Sequence, residues 1–266
     1  MTMTMETKNK SDNKKYKLSN ETIEVNGHIL HRIIAIKDFG EVKKGDKGGF
    51  IESEDNLSHY DLCWVADEAK VHGHAWVSGN AIVEDYADVY NYAKVFDHAI
   101  VKDYAKVYGN TWVCDNAVVS NHARVCGHAR VFDHAIVKDY AWVFDHAIVK
   151  DYAEVCNNAE VCDYAEVYDY SKVCGKTYIY GYAQISGDAV IKKMGDYIIF
   201  LNTWSSGRWF TWTKSNNKWK VGCFYGSGQE LIEKAYADDK NKGDNYKTYV
   251  ELVEHLMKND NESKKV

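Results

Sequence analysis

Residues 96–105 read FDHAIVKDYA, and the same ten letters return at 132–141 and at 144–153. The copies are separated by 36 and by 12 residues, and both offsets are multiples of six. The surrounding chain divides into hexads such as AKVHGH, AWVSGN and AIVEDY, with Val or Ile at every sixth position from Val65 to Ile191. Ala, Thr or Ser stands two positions before these residues from 69 to 189, and Gly, Asn or Asp stands two positions after them from 67 to 187. One six-residue unit is therefore repeated along about half of the chain.

Each hexad predicts a short strand followed by a corner. Side chains alternate along a strand, so Ala and Val point inward and the residues beside them point outward. Gly, Asn and Asp are the residues that most readily adopt the left-handed backbone conformation of a tight corner. A period of six does not fit the 3.6-residue repeat of a helix. The sequence therefore predicts a β-solenoid, in which each unit buries its apolar face against the next.

These hexads resemble those of the hexapeptide-repeat family, in which three units form one 18-residue coil of a left-handed parallel β-helix with a triangular section. The resemblance implies about seven coils over residues 64–193, and hence a rod about 34 Å long at the spacing of paired strands. Copies 36 residues apart occupy the same faces, whereas an offset of 12 moves the third copy to another face. The triplicated decapeptide therefore indicates duplication of a structural unit and not one catalytic surface.

Residues 18 apart should stack, and one outward column then consists of Ile82, Ile100, Val118 and Ile136. Exposed apolar patches often mark contact sites, so this column predicts a subunit interface or a groove for a partner. The alternative is that the column seats the chain's own terminal segments. Both interpretations are open from the sequence.

A second outward column is aromatic and basic and contains Trp76, Lys94, Trp112 and Arg130. Such a column can stack aromatic ligands or nucleic-acid bases. Aromatic residues also favour cross-strand pairing on an ordinary strand surface. If the protein binds a partner, these four residues are the first candidates for the contact.

The corner residues form columns as well. One corner column consists of Asp97, Asp115, Asp133, Asp151 and Asp169. It has two interpretations: an acidic surface with a function of its own, or only the tolerance of the corner conformation for Asp. His128 is expected to stack on His146, and two ring nitrogens do not complete a zinc shell. The HGH at residues 72–74 is a weaker metal signal still. We therefore predict no metal site and no cofactor.

The two flanks differ from the repeat. Residues 19–63 alternate like short strands and then become rich in turn glycines, which predicts a cap, since an open solenoid end would pair with other chains. Residues 194–258 predict a small α+β domain with three strands and two helices, in which Ser227 and Glu230 form a capping pair. Its Trp204, Trp209 and Trp212 are further candidate binding residues. The polar residues 1–18 and 259–266 predict disordered tails.

Both flanks carry a second resemblance. DFGEVKKGDKGGFIESEDNLS at 38–58 and GCFYGSGQELIEKA at 222–235 are similar to segments of an uncharacterised family of hexapeptide-repeat proteins from bacteria and their phages. The resemblance implies a phage or prophage setting. It brings no catalytic residue that can be carried over to this chain.

The composition indicates the compartment of the protein and the kind of partner that it binds. The chain has no run of 18 apolar residues and no apolar segment at its N-terminus, so we expect neither a membrane span nor secretion. Seven cysteines without a CxxC pair indicate free thiols in a reducing compartment, which predicts a cytoplasmic protein. Residues 64–191 carry 10 basic and 18 acidic groups. The resulting net charge of the repeat disfavours nucleic acid as the partner.

Two functional classes fit these features. The first is a non-catalytic binding or scaffold protein, whose rigid solenoid and Trp-rich C-terminal domain engage a macromolecular partner, with a protein favoured. The phage-like flanks then imply a host target such as a defence system. The second class is an acyl-CoA-dependent acyltransferase, the commonest activity of hexapeptide-repeat proteins, acting as a trimer with His98, His122 or His134 as general base. The 22 hexads contain no insertion that would build a substrate pocket, so the binding class is preferred. A homo-oligomer is compatible with both classes.

Overall fold

The computed structural model describes residues 14–263, with side chains as far as residue 259. The chain forms a parallel β-solenoid with an antiparallel sheet at its N-terminal end and a small α+β domain at its C-terminal end. The predicted fold class is confirmed.

The strands of the solenoid follow the hexads one by one and are numbered β4 to β25 along the chain. They are Trp64–Val65, Lys70–Val71, Trp76–Val77, Ile82–Val83, Asp88–Val89, Lys94–Val95, Ile100–Val101, Lys106–Val107, Trp112–Val113, Val118–Val119, Arg124–Val125, Arg130–Val131, Ile136–Val137, Trp142–Val143, Ile148–Val149, Glu154–Val155, Glu160–Val161, Glu166–Val167, Lys172–Val173, Tyr178–Ile179, Gln184–Ile185 and Val190–Ile191.

Each solenoid strand pairs in parallel with the strand one coil away, so residues 18 apart are neighbours. Ile100, for example, lies between Ile82 and Val118. Three flat faces result. Face 1 contains β5, β8, β11, β14, β17, β20 and β23, face 2 contains β6, β9, β12, β15, β18, β21 and β24, and face 3 contains β4, β7, β10, β13, β16, β19, β22 and β25. The Val or Ile of every hexad from Val65 to Ile191 is fully buried, so the predicted inward orientation is confirmed along the whole rod.

The corners have the predicted backbone. At all 21 Gly, Asn or Asp positions from Asp67 to Gly187, φ is positive and lies between 52° and 82°. Glycine is also required for space at several corners, because a Cβ built on Gly79 would lie 2.8 Å from the backbone N of Asp97 in the next coil. The corner residues therefore satisfy a backbone requirement.

The aspartate column has a structural role at these corners. The Oδ2 of Asp115 accepts a hydrogen bond from the N–H of Asp133 at 3.3 Å, and Asp133 accepts from the N–H of Asp151 in the same way. Asp169 accepts from the N–H of Gly187 at 2.8 Å. Each carboxylate thus ties its own coil to the following one. These contacts support the second sequence interpretation, in which Asp is selected by the corner.

Replacing Asp133 by alanine is expected to lower the free energy of unfolding by about 2–3 kcal/mol. The left-handed conformation costs an ordinary L-residue about 1–2 kcal/mol, and the lost hydrogen bond adds about 1 kcal/mol. Asparagine keeps both the backbone tolerance and an acceptor oxygen, so Asp133→Asn should cost less than half as much. Urea unfolding followed by circular dichroism measures both variants. If both variants lost the same free energy of unfolding, the hydrogen bond of the carboxylate and the corner conformation would not be the cause of the loss.

The N-terminal cap consists of three strands: β1 (Tyr16–Val25), β2 (His28–Ala35) and β3 (Lys47–Ile51). β1 pairs with β2 and β2 with β3, both antiparallel. β3 then pairs in parallel with β5 and so extends face 1 by one strand. A short 3₁₀ helix, Glu54–Asn56, leads to Leu57, which bridges Val77 in parallel on face 2. The cap thereby adds a coil, so the solenoid has about eight coils and the expected number of seven was wrong.

The cap begins earlier than the sequence indicated. Lys15 and Tyr16 are almost completely buried, although residues 1–18 were predicted to be a disordered tail. The Nζ of Lys15 donates to the carbonyl oxygen of Cys63 at 2.7 Å, and the Tyr16 hydroxyl donates to the carbonyl oxygen of Leu57 at 2.7 Å. These bonds hold residues 15 and 16 against the first coils. The tail prediction is therefore wrong from residue 14 onward, and residues 1–13 lie outside the described residues.

The C-terminal domain is a four-stranded antiparallel sheet with two helices. A 3₁₀ helix, Met194–Asp196, leads from the solenoid into β26 (Tyr197–Asn202), β27 (Arg208–Thr213), β28 (Lys218–Val221) and β29 (Phe224–Gly226). The helices are α1 (Gly228–Asp238) and α2 (Lys240–Ser263). The predicted capping pair is confirmed, because Ser227 accepts from the N–H of Glu230 and the Glu230 carboxylate accepts from the N–H of Ser227. α2 runs five residues past the predicted end of the domain, and residues 264–266 lie outside the described residues.

The domain closes the open end of the solenoid. The N–H of Gln184 donates to Thr211 Oγ1 at 3.0 Å, and the N–H of Val190 donates to Ser215 Oγ at 2.7 Å. The Tyr197 hydroxyl donates to the carbonyl oxygen of Tyr178 at 2.6 Å. Backbone groups of the last coil thus find partners in the domain, which is how a solenoid end avoids pairing with other chains.

Candidate binding surfaces

Aromatic rings stack along the three corners of the solenoid. The third residue after each hexad Val stands at a corner, and its side chain lies over the equivalent residue one coil away. Between faces 3 and 1, the ring centroids of Tyr86 and Tyr104 are 5.1 Å apart, those of Tyr104 and His122 are 5.0 Å apart, and those of His122 and Tyr140 are 4.8 Å apart. The interplanar angles are 11° or less. We call these four residues the 3–1 corner column.

A second column runs between faces 1 and 2 and reaches the C-terminal domain. His128 stacks on His146 at 4.9 Å, as predicted, and the stack continues through Tyr164 and Tyr182 to Trp209. Shorter stacks occur between faces 2 and 3, where His134, Tyr152 and Tyr170 overlap. The tyrosines of these columns are exposed at the corners.

A groove of about 680 Å³ lies between the 3–1 corner column and the outward row of face 1. The corner column forms one wall. The other wall contains Lys70, Asp88, Lys106, Arg124, Trp142 and Glu160. Three of these six residues are basic and two are acidic, and they line the groove together with three tyrosines and one imidazole. The groove can therefore bind hydrogen-bond acceptors, and acidic groups beside Lys70, Lys106 and Arg124.

The groove is not evident from any single column of the sequence, because its two walls come from different positions of the hexad. Tyr104 and Lys106 are separated only by the inward-pointing Ala105, so a corner residue and the next outward residue always line the same edge. The repeated pattern of an aromatic residue, Ala and a basic residue, as in YAK at 104–106 and HAR at 122–124, was visible in the sequence.

The predicted aromatic and basic row is present on face 2. Trp76 pairs with Lys94, Trp112 pairs with both Lys94 and Arg130, and the two tryptophans are 42% and 40% exposed. The Arg130 guanidinium lies 4.9 Å from the centroid of the Trp112 ring, and the Lys94 Nζ lies 5.6 Å from it. The four residues thus come together as expected. Trp112 is already engaged by two cations.

The three candidate tryptophans of the C-terminal domain have different environments. Trp204 is 79% exposed, and Trp209 is half-buried because it stacks on Tyr182. Trp212 is only 3% exposed, and its Nε1 donates to Asn217 Oδ1 at 2.9 Å. Trp212 packs in the core between the sheet and the helices. This burial disfavours its predicted role as a binding residue.

The aliphatic column on face 3 is continuous over four coils. Ile82, Ile100, Val118 and Ile136 pair in register and are half-buried. The column ends at Glu154, whose carboxylate pairs with Lys138 at 2.8 Å and with Lys172 at 2.9 Å. Burial alone raises the pKa of Glu154, but these two ammonium donors outweigh it and hold the pKa below its ordinary value.

The candidate general bases do not share a site. His98 and His134 stand two coils apart between faces 2 and 3, whereas His122 belongs to the 3–1 corner column. His122 lies between the rings of Tyr104 and Tyr140. His134 stacks on Tyr152, and the Nε2 of His98 is 3.4 Å from the amide nitrogen of Asn80. Each imidazole therefore has the environment of a corner residue.

Five of the seven cysteines are buried or paired in a disulfide, whereas Cys114 is half-buried and Cys223 is exposed. Cys156 and Cys174 are one coil apart and form a disulfide, so the expectation of seven free thiols was wrong for this pair. Burial and the neighbouring Asp115 raise the pKa of Cys114 to about 12, and burial raises the pKa of Cys63 and of Cys162. The thiolate is the nucleophilic form of cysteine, so these three groups are poor nucleophiles.

No protein-family model matches the chain, and no curated protein matches its sequence. Across residues 14–263, no helix combines the length and the apolar character that a bilayer span requires.

Proposed function

We propose that this protein is a non-catalytic binding protein, whose solenoid is a rigid scaffold that presents the 3–1 corner column and its groove to a protein partner. The observation that carries the proposal is this column itself. Four exposed rings stack in parallel beside the basic residues Lys106 and Arg124, in a groove of about 680 Å³. Tyrosine, tryptophan and arginine are the residues that most often dominate binding energy at protein interfaces.

Rigidity supports a role in binding. A side chain that becomes fixed on association costs about 0.5–1.5 kcal/mol in lost rotamer freedom. His122 is held between Tyr104 and Tyr140 in the free protein, at centroid distances of 5.0 and 4.8 Å. Little of this freedom remains to be lost when a partner binds. Stacked columns therefore offer contact area at a low entropic cost.

The geometry favours a protein over nucleic acid. Proteins bind single-stranded nucleic acid by stacking bases on the faces of aromatic rings. In the 3–1 corner column those faces are covered by neighbouring rings, and Trp112 is bracketed by Lys94 and Arg130. The ring edges, hydroxyls and imidazole nitrogens stay accessible, and these groups suit the mixed polar and apolar surface of a protein. The basic groups of the groove favour an acidic patch on that partner.

The setting belongs to the same proposal. The hexads resemble the hexapeptide-repeat family with its left-handed β-helix, and the flanks resemble a family from bacteria and phages. We therefore expect a phage protein that acts on a host macromolecule, with a defence system as the target class. The cytoplasmic location stays a prediction, because the Cys156–Cys174 disulfide is not typical of a reducing compartment. A homo-oligomer through the aliphatic column also stays a prediction, which light scattering on the purified protein tests.

Capture of the partner tests the proposal. Wild-type protein immobilised on resin is incubated with bacterial lysate, and bound proteins are identified and then purified for direct binding measurements. Tyr104→Ala combined with Arg124→Ala should weaken binding of the purified partner at least tenfold, about 1.4 kcal/mol, because both side chains line the groove. Trp76→Ala combined with Trp112→Ala tests the face 2 row in the same assay.

The matched control is Tyr170→Ala, which removes an even more exposed ring, 71% against 52% for Tyr104, at the end of a stack on another corner. This variant should bind as the wild type does. Circular dichroism confirms that all variants are folded. If the folded double variants both bind with wild-type affinity, the columns are ordinary solenoid surface and the proposed site is wrong.

A further inference from the structure

Two histidines and a glutamate meet where the cap joins the solenoid. His28 is the first residue of β2, Glu52 follows β3, and His72 follows β5. One ligand atom of each residue lies within 4.8 Å of the others. The His28 Nδ1 is 2.9 Å from Glu52 Oε1, and the ring centroids of the two histidines are 5.2 Å apart. Three separate segments of the chain thus bring potential metal ligands to one point.

The side chains are already oriented by their neighbours. The second carboxylate oxygen of Glu52 accepts a hydrogen bond from the N–H of Gly73 at 2.7 Å. The His72 ring stacks on Tyr90 with an interplanar angle of 7°, and its Nε2 is 3.2 Å from Asp88 Oδ1. Metal-binding histidines and carboxylates characteristically have such outer partners, which fix the ring, the tautomer and the carboxylate.

The cluster is enclosed on one side and accessible on the other. His72 is 3% exposed, whereas His28 and Glu52 are partly open to solvent. An ion can therefore enter from the cap side and become partly dehydrated against the first coil. The arrangement differs from that of His128 and His146, which stack on an exposed corner without a carboxylate between them.

The donor set selects the kind of ion. Two imidazoles and one carboxylate suit Zn²⁺ and related transition ions, whereas Mg²⁺ and Ca²⁺ prefer oxygen ligands. Tetrahedral Zn²⁺ with bonds of about 2.0–2.1 Å separates its ligand atoms by about 3.4 Å. The distance of 2.9 Å between His28 Nδ1 and Glu52 Oε1 is shorter than that spacing, and the ligand atoms of all three residues lie within 4.8 Å of one another, so small side-chain rotations suffice. Water completes the shell.

We propose that His28, Glu52 and His72 form a Zn²⁺ site that clips the N-terminal cap to the first coil of the solenoid. The ligands come from β2, from the end of β3 and from the end of β5, so bound metal ties the antiparallel cap to face 1. Its role is to stabilise the cap. The inference is independent of the proposed binding function, since the groove and the cluster are different sites.

Metal titration tests the site directly. Full-length protein without a histidine tag is treated with a chelator, and Zn²⁺ binding is followed by calorimetry, with Co²⁺ absorption as a second readout of tetrahedral coordination. One ion should bind per chain, and Mg²⁺ should not compete. Zn²⁺ should also raise the melting temperature of the wild-type protein, because it binds only the folded state.

Variants distinguish the residues that bind the ion from the outer partners that orient them. Glu52→Gln and His28→Asn should each weaken Zn²⁺ binding by more than about 100-fold, beyond the 10–100-fold typical of outer partners. Asp88→Asn should weaken it by about 10–100-fold. His146→Ala, the matched control, should leave the affinity unchanged. His28→Asn changes a partly exposed side chain at the start of a strand, so it keeps the test valid even where Glu52→Gln fails to fold.

The proposal is overturned by either of two results. The first is wild-type protein that neither binds Zn²⁺ nor gains thermal stability from it. The second is Zn²⁺ binding whose affinity is the same in wild type and in folded His28→Asn, which would place the ion elsewhere.

Discussion

Val119→Asp is expected to prevent the solenoid from folding. Val119 is fully buried in the middle of face 3, where it pairs with Val101 and Val137. A carboxylate at this position has no donor in a core made of Ala and Val. An ionised group buried without a partner costs several kcal/mol, or is protonated at a comparable cost. That amount is a large share of the stability of a typical domain.

The matched control is the preceding residue. Val118 belongs to the same strand, β13, but points outward and is half-buried. Val118→Asp should therefore give soluble, folded protein with a loss of about 1 kcal/mol or less. Soluble yield, circular dichroism and urea unfolding of both variants measure the difference. Similar behaviour of the two would mean that the inward and outward assignment along the hexads is wrong.

The repeat is the part of the fold that the sequence predicts best. In a solenoid each hexad position has one structural role, so the same residue types return for the same physical reason. The Val or Ile at every sixth position from Val65 to Ile191 is always inward, and the Gly, Asn or Asp two residues later always has a positive φ. Twenty-two repetitions make the assignment robust against any single exception.

The eighth coil was missed because it does not follow the hexad pattern. β3 reads KGGFI, with Gly48 and Gly49 where a solenoid strand would carry side chains. A Cβ on Gly48 would lie 2.5 Å from the Trp64 ring, so the glycines are required by close packing of the cap on the first coil. Such a requirement depends on which surface the segment packs against. Local sequence does not contain that information.

The disulfide shows a different kind of failure. Cys156 and Cys174 are 18 residues apart, and this spacing places them one above the other in the predicted fold. The pair could therefore have been predicted once the coil length was known. The cysteine count and the lack of a CxxC pair favour free thiols instead, because neither of them reflects the coil geometry.

Burial of Trp212 could not be predicted from alternation alone. β27 has both of its sides covered, since Phe210 and Trp212 face the helices while Thr211 contacts the end of the solenoid. Alternation separates the two sides of a strand but does not say what packs on either. The proposed zinc cluster could not be assembled from the sequence for a similar reason, although the HGH at 72–74 contains one of its ligands. Its three ligands stand on separate segments, and no spacing rule links residues 28, 52 and 72.

Gly49→Val is expected to detach the N-terminal cap. A Cβ at this position would lie 2.5 Å from the carbonyl oxygen of Ala69 and 2.8 Å from Val65 Cγ1. The same carbonyl oxygen accepts the hydrogen bond from the N–H of Phe50 at 2.8 Å, which joins β3 to β5. The new side chain therefore strains the bond that attaches the cap. We expect a loss of about 3 kcal/mol or more, at the upper end of the range for overpacked cores.

The consequence of detachment is an exposed solenoid end. Without β3, the edge strand β5 presents unpaired N–H and C=O groups, and such edges associate with other chains. Hydrogen exchange should then be fast across β1 to β3 and stay slow in the central coils, because contacts in a solenoid reach only the neighbouring coils. Light scattering should show association that increases with concentration. Gly195→Val is the matched control, since a Cβ on Gly195 meets no atom within 4 Å. If hydrogen exchange in the cap stays slow in Gly49→Val, the cap tolerates a side chain between β3 and the first coil. Close packing would then not explain why Gly48 and Gly49 stand there.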